Sequence, residues 1–495
     1  MLPGPSRAGC AEKRGKAKDA RASFMLGYNF ASGSRPKPSR RRLKISCEAF
    51  VDAIILTEEM RAAIALLEDE KERFVWISGR AGTGKSTFLQ YLKDELRPRN
   101  AVYLAPTAVA ALTIGGQTIH SFFWIDPGEK AYLETRLDPD KEGRLYALLA
   151  AVETIVVDEV SMVRADLLDE MDRRMRRAKR QSRLPFGGAR LVLFGDAYQL
   201  PPVEPDPYTM AGEGFARRYK SPFFFSSQAL RTRARKIRHV EFTRVFRHNE
   251  TDFMATLDRC RAGAVTEADL DLLQSRVLPE GRKPPADHLV LTAKRDEARR
   301  LNRYRMDALP GPARTYSAVS SGRFASAPGD EDLPAPRELE LKVGARVMFT
   351  VNDPGRRWVN GALATVSGLE DGRVVLRDEA GEFAVEPYAW RRLRFTLRDD
   401  RLAEETADEY RQYPFVLGWA VTIHRAQGRT LEKVFVDLSR GAFAAGQAYV
   451  AISRVTRLEG LLLRARPRAR DFFVNERVTD FLDYIQAGAD AGIDG

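Results

Sequence analysis

Residues 79–86, GRAGTGKS, have the residue types and the spacing of a phosphate-binding loop. The apolar run at 74–77 predicts a strand before the loop, and the spaced apolar residues within 88–92 predict a helix after it. Glycines allow backbone N–H groups to close around phosphate oxygens at the N-terminus of such a helix. We predict that Lys85 reaches the β- and γ-phosphates of ATP and that Ser86 binds Mg²⁺. The expected nucleotide contacts of the loop are Gly82, Thr83, Gly84, Lys85, Ser86 and Thr87.

Acidic and amide side chains follow two further apolar runs. The run TIVV ends at Asp158 and Glu159, and the run RLVLFG ends at Asp196, with Gln199 close behind. In a parallel sheet these ends lie at the carboxyl edge, where the phosphate-binding loop also lies. We predict that Asp158 coordinates Mg²⁺, that Glu159 is the general base that orients the attacking water, and that Gln199 senses the γ-phosphate. The sequence therefore predicts ATP hydrolysis.

The positive charge of this 495-residue chain is concentrated at its N-terminus. Residues 1–45 contain twelve Lys or Arg and two acids, a net charge of +10 out of +12, so the rest of the chain is nearly neutral. The segment is rich in Gly, Ser, Pro and Arg and has no periodicity, which predicts a disordered basic tail. A transit peptide, a nonspecific nucleic-acid arm and sequence upstream of a start at Met25 remain open as interpretations.

The composition excludes several classes of protein. No uninterrupted apolar run reaches the roughly 18–20 residues of a membrane span. The three cysteines lack metal-binding spacing and are too few for a disulfide framework, which favours a reducing cytoplasm. The chain has no NKxD-type guanine-reading tetrapeptide in a suitable place, which argues against a small GTPase. The phosphate-binding loop alone leaves a protein-remodelling ATPase of the AAA type open.

Further motifs decide what the ATP is used for. They are APTAVAALTIGGQTIHSFF at 105–123, the stretch from DEVSMVRADLLDE to QLPPV at 158–203, VFRH at 245–248, PFVLGWAVTIHRAQGRT at 414–430 and GQAYVAISR at 446–454. In this order they resemble the petite-integration-frequency (Pif one) family of superfamily 1B DNA helicases over most of residues 55–465. The resemblance is specific because the SMVxADLLD and PFGG segment is close to that family's signature. The helicase subunit RecD and its relatives share the general motifs but match this segment less well.

The resemblance implies an ATP-dependent helicase that translocates 5′→3′ on single-stranded DNA and unwinds duplex, forked or structured DNA, including G-quadruplexes, in genome maintenance. It implies that VTIHRAQG at 421–428 contacts the DNA backbone and faces the ATP cleft. The DNA-binding residues that it implies are Thr107, Thr118, His120, Asn360, Thr422 and His424. The nucleotide-site residues that it implies in the second domain are Arg247, Gln427, Gly428 and Arg454, where Arg454 is an arginine finger and Arg247 is its partner.

Two positions depart from the family pattern. The family has a glutamine that reads the adenine edge shortly after a helix start before the loop, and here LTEEM places Met60 there. Methionine packs against a base but cannot form a pair of hydrogen bonds with it, so adenine specificity is less secure. The family often has lysine after the histidine of VTIH, and Arg425 keeps that charge.

The resemblance and the strand pattern together predict an α/β fold. It has two RecA-like (P-loop) domains, with a small wedge inserted in the first and a Src-homology-3-like β-barrel inserted in the second. The predicted segments are a tail at 1–45, a first domain at 50–240 with the wedge at 126–146, a second domain at 241–315 and 412–470, a linker at 316–337, the barrel at 338–411 and a helical tail at 471–495.

Two functions from different classes fit these motifs. One is a DNA-unwinding motor, and the other is an ATP-gated DNA-binding protein that does not unwind. The predicted wedge and the two complete RecA-like halves favour the motor. The expected partners are single-stranded DNA and duplex or fork DNA, with ATP and Mg²⁺ as cofactors. No membrane partner is expected, and the protein is expected to be a cytoplasmic monomer.

Overall fold

The computed structural model describes residues 55–126, 138–231, 236–246, 251–327, 329–330, 333–399, 401–439 and 441–490. The predicted tail at 1–45, most of the predicted wedge and Arg247 lie outside the described residues. Residues from Leu56 to Gly495 form one compact unit, and the fold is that of this unit.

The first sheet is entirely parallel and carries the phosphate-binding loop. Its strands are β1 (Phe74–Gly79), β2 (Ala101–Ala105), β3 (Gln117–Thr118), β4 (Thr154–Val157), β5 (Arg190–Phe194) and β6 (Ile237–Phe242). They are ordered β3-β2-β4-β5-β1-β6. Every residue of β1 and β4 is buried, because helices cover both faces of a parallel sheet. The strands predicted from the apolar runs at 74–77, TIVV and RLVLFG are confirmed as β1, β4 and β5.

Eight helices from the described part of residues 58–231 accompany this sheet. They are α1 (Glu58–Glu68), α2 (Lys85–Tyr91), α3 (Ala108–Thr113), α4 (Ile119–Phe123), α5 (Pro139–Ala151), α6 (Ala165–Ala178), α7 (Met210–Arg218) and α8 (Gln228–Arg231). The signature segment SMVRADLLD enters α6, whose Leu168, Met171 and Met175 are fully buried. The Asp172 carboxylate accepts the backbone N–H of Phe186 at 2.5 Å, which ties this helix to the PFGG turn.

The second sheet is also parallel, and two distant segments build it. Its strands are β7 (Leu289–Thr292), β18 (Ala420–Thr422), β19 (Val434–Val436) and β20 (Leu461–Leu463), in the order β18-β7-β19-β20. Its helices are α9 (Thr251–Ala262), α10 (Glu267–Gln274), α11 (Arg295–Asp307), α13 (Ile423–Ala426) and α14 (Gln447–Ile452). Strand β7, from the earlier segment, pairs on both sides with strands from the later segment.

The chain between these two segments forms an antiparallel sheet. Its strands are β11 (Arg346–Phe349), β12 (Leu363–Leu369), β13 (Val374–Arg377), β14 (Glu382–Val385) and β17 (Phe415–Leu417), in the order β14-β13-β12-β11-β17. A separate two-stranded ladder joins β8 (Arg314–Ser317) to β10 (Glu338–Leu341). In the core beside the five-stranded sheet, Phe349 and Trp358 stack with ring centroids 4.4 Å apart. The last strand, β17, lies beyond the predicted end of the inserted module at residue 411.

Residues 388–411 do not join this inserted sheet, which corrects the prediction that 338–411 is a single small barrel. They form a long hairpin of β15 (Tyr388–Arg398) and β16 (Arg401–Gln412), which pairs with β9 (Val319–Ser320). The hairpin crosses to the first sheet, where the Gln117 side chain donates to the carbonyl of Leu393 at 2.6 Å. Phe395 packs edge-to-face on Phe122. Alternating arginine and apolar residues give β15 one charged face and one face that packs.

The prediction of a flexible linker at 316–337 is wrong for its described part. This segment contains β9 and α12 (Gly322–Ala325), and its Phe324, Leu333 and Ala335 are buried. The hydroxyl of Tyr410 in β16 donates to the carbonyl of Ala335 at 2.8 Å. The small residues that suggested a linker allow this chain to lie close to the hairpin.

The C-terminal helix α15 (Glu476–Asp490) lies within the segment 471–495 that was predicted to be a helical tail. It packs against the first sheet rather than the second. Phe481 stacks on Phe225 with centroids 4.4 Å apart and also contacts Trp76. No helix in the described ranges combines the length and the apolar character that a membrane span requires.

We predict that Phe481→Ala lowers the free energy of unfolding by about 3 kcal/mol, because it removes a buried aromatic side chain and leaves a cavity. The change is measured by denaturant titration. Gln486→Ala, on the exposed side of the same helix, is the matched control and changes stability by less than about 0.5 kcal/mol. Equal effects of the two substitutions would contradict the packing of this helix on the first sheet.

Candidate functional site

The phosphate-binding loop connects β1 to α2 at the carboxyl edge of the first sheet. Gly84 precedes α2 with a φ of 85°, and a Cβ there would lie 2.9 Å from Met60 Cε, so the turn requires glycine. Lys85 donates to the carbonyl oxygens of Gly79 and Arg80, the second at 2.8 Å. Burial lowers the pKa of Lys85, and the carboxylate of Asp196 is the main group that opposes this shift.

The loop residues predicted to contact nucleotide lie in the first turn of α2 or directly before it. Thr83 is buried and donates to the carbonyl of Arg80 at 3.0 Å, so its role is to close the loop. Ser86 and Thr87 are exposed, and their hydroxyls face solvent at the helix N-terminus. A ligand at this helix end therefore meets backbone N–H groups and two accessible hydroxyls.

Asp158 and Glu159 leave the end of β4 beside this loop. Burial raises the pKa of Asp158 to about 7, and the charge of Glu159 adds to the effect. Burial also raises the pKa of Glu159, whereas the charges of Lys85 and Arg454 lower it. Glu159 has a φ of 50°, a left-handed conformation that is uncommon for a residue with a side chain and that clusters at functional sites.

The turn after β5 holds Gln199 next to these carboxylates. The Asp196 carboxylate accepts the backbone N–H of Tyr198 at 3.2 Å, and its carbonyl accepts the N–H of Gln199 at 3.0 Å. Asp196 and Gln199 are both buried. The three predicted first-half groups, Asp158, Glu159 and Gln199, therefore lie at one edge of one sheet.

The second half of the chain contacts these groups directly. The side-chain amide of Gln427 donates to Glu159 Oε2 at 3.2 Å and to Gln199 Oε1 at 3.1 Å. A Cβ at Gly428 would lie 3.4 Å from Glu159 Oε1. Gly446, before α14, has a φ of 72°, and a Cβ there would lie 2.3 Å from the carbonyl oxygen of Tyr198. The two sheets thus meet at the residues predicted for nucleotide binding.

Arg454 follows α14 and is buried at this junction. Its guanidinium donates to the carbonyl of Val450 at 2.7 Å, to Ser453 Oγ at 2.8 Å and to the carbonyl of Arg429 at 3.3 Å. Its charge lowers the pKa of Glu159, which places a positive group of the second half beside a carboxylate of the first. Its predicted partner Arg247 is outside the described residues, so their pairing stays a prediction.

Helix α9 makes contacts at this site that the sequence motifs did not predict. Arg261 forms an ion pair with Asp196 at 3.0 Å and with Glu241 at 2.8 Å, and its guanidinium lies 4.5 Å from the ring centroid of Tyr198. Asp258, one turn earlier, pairs with Arg80 of the phosphate-binding loop. Their spacing of three residues places both on one helix face, but such a pair is common on exposed helices and carries no motif.

The three threonines predicted to bind DNA each begin a short helix after a strand. Thr107 caps α3, Thr118 caps α4 and Thr422 caps α13, where each hydroxyl accepts a backbone N–H three residues later at 3.1–3.2 Å. Capping alone is a sufficient structural role for these residues. A capping hydroxyl still has a proton to donate to a phosphate oxygen.

Two of these threonines open the same tripeptide, Thr-Ile-His, once in each half of the chain. Burial lowers the pKa of His120, and Arg164 adds to the effect. Burial also lowers the pKa of His424, and Arg295 adds to the effect. Both imidazoles are therefore neutral near pH 7, with one nitrogen that donates and one that accepts.

Asn360 lies in a turn of the inserted sheet, away from the other predicted DNA contacts in sequence. Its backbone N–H donates to Asn352 Oδ1 at 2.8 Å, and its own Oδ1 is buried without a hydrogen-bond partner among the described residues.

Met60, where the family has a glutamine, is buried; its Cε and the ring of Phe246 both lie near Gly84. The Met60 thioether cannot form the pair of hydrogen bonds that a glutamine amide forms with a nucleobase.

Comparison with known proteins finds similarity to one helicase family. A family model described as PIF1-like helicase matches residues 55–269. The chain is 32% identical to the ATP-dependent DNA helicase Pif1 of Bdellovibrio bacteriovorus, over 87% of this chain and 92% of that protein. It is 33% identical to the ATP-dependent DNA helicase PIF1 of Mus musculus, over 82% of this chain. The chain spans only 59% of the length of that mouse relative.

Two solved structures of a relative from Bacteroides sp are also similar. Pif1 in complex with ADP-AlF4 has a TM-score of 0.78 at 32% identity and covers 88% of this chain and 98% of that one. Pif1 bound to single-stranded DNA has a TM-score of 0.61 at 33% identity, with the same coverage. The α/β fold with its parallel sheets is therefore that of these structures.

We predict that Arg261→Met lowers the free energy of unfolding by about 3–5 kcal/mol, because it leaves the buried Asp196 carboxylate without its cation. The double variant Arg261→Met/Asp196→Asn no longer buries an unpaired carboxylate, so it regains part of the lost free energy of unfolding. Denaturant titration measures both variants. Arg217→Met, which breaks an exposed ion pair with Glu213, is the control and changes stability by less than about 0.5 kcal/mol. A single variant as stable as this control would show that the Arg261 pair contributes nothing to the fold.

Proposed function

Because the chain belongs to the PIF1-like helicase family, we propose that it is an ATP-dependent DNA helicase that translocates on single-stranded DNA and unwinds duplex DNA. One observation carries the proposal. The amide of Gln427 in the second half bridges Glu159 and Gln199 in the first half. A nucleotide site that both halves complete can convert hydrolysis into a relative movement of those halves, which is what translocation requires.

The first half supplies the chemistry of hydrolysis. Backbone N–H groups of the loop and Lys85 hold the phosphates, Glu159 orients the attacking water and accepts its proton, and Gln199 contacts the γ-phosphate. Ser86 and Asp158 have the oxygen ligands that Mg²⁺ prefers, and the bound ion would neutralise charge on the phosphates. Ser86 and Asp158 would hold the ion together with oxygens of the bound nucleotide and water, because Mg²⁺ usually keeps several non-protein oxygen ligands.

The second half supplies the positive charge that makes closure a condition for hydrolysis. Arg454 already lies close enough to Glu159 to lower the pKa of that carboxyl. A guanidinium bridges two phosphate oxygens with a rigid fork, which an ammonium on a flexible stem cannot do. We assign Arg454 as the arginine finger and Arg247 as its partner, so hydrolysis requires the two halves to be together.

The proposed DNA path runs over the strand ends of both halves. Thr107, Thr118 and His120 lie on the first half, and Thr422 and His424 on the second. A hydroxyl or a neutral imidazole holds a phosphate less tightly than a lysine, which suits a strand that must slide. Asn360 extends the path to the inserted sheet. The relative from Bacteroides that was crystallised with single-stranded DNA supports a single-stranded substrate.

The finer architecture follows the same proposal. The antiparallel sheet of β11–β14 and β17 corresponds to the Src-homology-3-like barrel, and the segment 126–146 to the wedge that meets the duplex at a fork. The two RecA-like domains are the first and second sheets with their helices. The hairpin of β15 and β16 connects the inserted module to the first domain through Gln117 and Phe395.

The biological role extends the proposal further. We propose 5′→3′ polarity, activity on forked and G-quadruplex DNA, and a role in DNA repair or recombination. We further propose that the protein acts as a monomer in the bacterial cytoplasm and nucleoid. An ATP-gated DNA-binding protein that does not unwind is the competing function. It shares the same nucleotide site, so only strand separation distinguishes the two.

We predict that the protein separates a duplex with a 5′ single-stranded tail, and not a duplex with a 3′ tail, in the presence of ATP and Mg²⁺. A fluorescence strand-displacement assay measures both substrates. Lys85→Ala loses displacement, because the charge on the β- and γ-phosphates is removed, but still binds single-stranded DNA. Displacement of the 3′-tailed duplex alone would reverse the polarity. ATP hydrolysis without displacement of either substrate would establish the competing function.

We predict that Arg454→Lys reduces DNA-stimulated ATP turnover by about 10³-fold or more, because arginine fingers contribute on this order to the rate. Titration with a fluorescent ATP analogue shows binding within about threefold of the parent, since the loop contacts remain. Arg457→Lys, an exposed arginine three residues later, turns over like the parent and is the matched control. Turnover of Arg454→Lys within about threefold of the parent would reject the finger assignment.

A further inference from the structure

Arg429, directly after the Gln427-Gly428 turn, is a buried arginine that forms no ion pair with a carboxylate among the described residues. The residue is 6% exposed. Its one side-chain hydrogen bond is from Nη1 to Met348 Sδ of the inserted sheet, at 3.9 Å. Within the described chain, no Asp or Glu oxygen lies within ion-pair distance of its guanidinium. Buried charges are normally paired, because removing an isolated charge from water is strongly unfavourable.

A second arginine, Arg425, lies one helical turn earlier; it is half-buried, and the charge of Asp330 partly offsets the effect of burial on its pKa. The guanidinium of Arg425 reaches the carbonyl oxygen of Pro334 at 3.5 Å, and none of the described acids forms an ion pair with it. Burial lowers the pKa of Arg429 to about 9, and the nearby charge of Arg425 adds to the effect. Two like charges therefore lie close together at the junction between the second sheet and the inserted sheet.

The wall opposite Arg429 also has unused hydrogen-bonding groups. A Cβ at Gly361 would lie 2.8 Å from the carbonyl oxygen of Thr430 and 3.7 Å from Arg429 Cβ, so the Asn360-Gly361 turn lies against residues 429–431. Asn360 Oδ1 is buried without a partner, and so is Thr350 Oγ1, two residues after Met348. Of these two groups, the Thr350 hydroxyl can donate to an anion, whereas Asn360 would have to offer a phosphate its amide N–H groups rather than Oδ1.

Packing does not require a charge at this position. A methionine or leucine would fill the space against Met348 and would not bury a guanidinium. The guanidinium is instead suited to a phosphate group, whose oxygens accept its parallel N–H donors. The junction lies between two proposed DNA contacts, His424 on α13 and Asn360 on the inserted sheet.

We propose that Arg429, supported by Arg425, forms an anion site that binds a phosphodiester oxygen of the DNA strand where it passes from the second RecA-like domain to the inserted sheet. The proposal rests on the proposed function, since it requires a strand on this face. It assigns the site to the DNA rather than to the phosphates of ATP, because the Arg429 guanidinium contacts Met348 of the inserted sheet and not the phosphate-binding loop.

The test measures the affinity of the full-length protein for fluorescent oligo(dT) by anisotropy at several salt concentrations. For Arg429→Met we expect about tenfold weaker binding at low salt. The slope of log affinity against log salt should become less steep by about 0.7, the value for one phosphate contact on a single strand. Arg429→Lys keeps the parent slope, because the charge remains. Arg373→Met, an exposed arginine on the same sheet paired with Glu370, is the matched control and retains both the parent affinity and the parent slope.

Two further measurements separate the alternatives. Thermal unfolding of Arg429→Met should occur at or above the parent temperature, because a buried unpaired charge is removed. The affinity for a fluorescent ATP analogue without DNA should equal that of the parent. An unchanged salt slope would overturn the anion site, and weaker binding of the ATP analogue would transfer the site to the nucleotide and overturn the assignment to DNA. Failure of the parent protein to bind oligo(dT) would reject the proposed function itself.

Discussion

The carboxylates at the carboxyl edge of the first sheet are buried, and much of the polar surface that faces them belongs to the second half of the chain. Asp196 forms its ion pair with Arg261 of α9, and Glu159 accepts a hydrogen bond from Gln427. Pulling the halves apart leaves these groups without those partners, which is unfavourable for buried carboxylates. The side chains that hold the two sheets together are therefore also the ones that line the proposed nucleotide site.

The same local construction provides the proposed DNA contacts in both halves. A short strand ends at a threonine that caps a short helix, and a histidine follows two residues later, in Thr118-Ile-His120 and in Thr422-Ile-His424. Because the cap determines where the helix begins, it also determines where the histidine lies. A strand that crosses both halves would meet the same pair of neutral groups twice, and on the second half the half-buried Arg425 and the buried Arg429 lie close to this pair.

Short-range patterns predicted most of the first domain and little of the inserted region. The strand before Lys85 and the strand before Asp158 are apolar on both faces, so their sequence alone indicates a buried parallel sheet. In the hairpin, strand β15 alternates arginine with apolar residues, a pattern that is equally compatible with the small barrel that was predicted. Its contact with Gln117 joins residues 276 positions apart, and no local pattern contains that information. The linker prediction failed because small residues indicate flexibility locally but allow close packing in the folded chain.

The sequence by itself determined the phosphate-binding loop, the order of the strands along the chain and the residue types of the nucleotide site, because these depend on spacing within a few residues. Only the tertiary structure decided which groups meet across the cleft. The contact of Gln427 with Glu159 spans 268 positions, and the pairing of Arg261 with Asp196 spans 65. The unpaired state of Arg429 is likewise a property of the fold, since whether a charge has a partner depends on what is buried beside it and not on its neighbours in the chain.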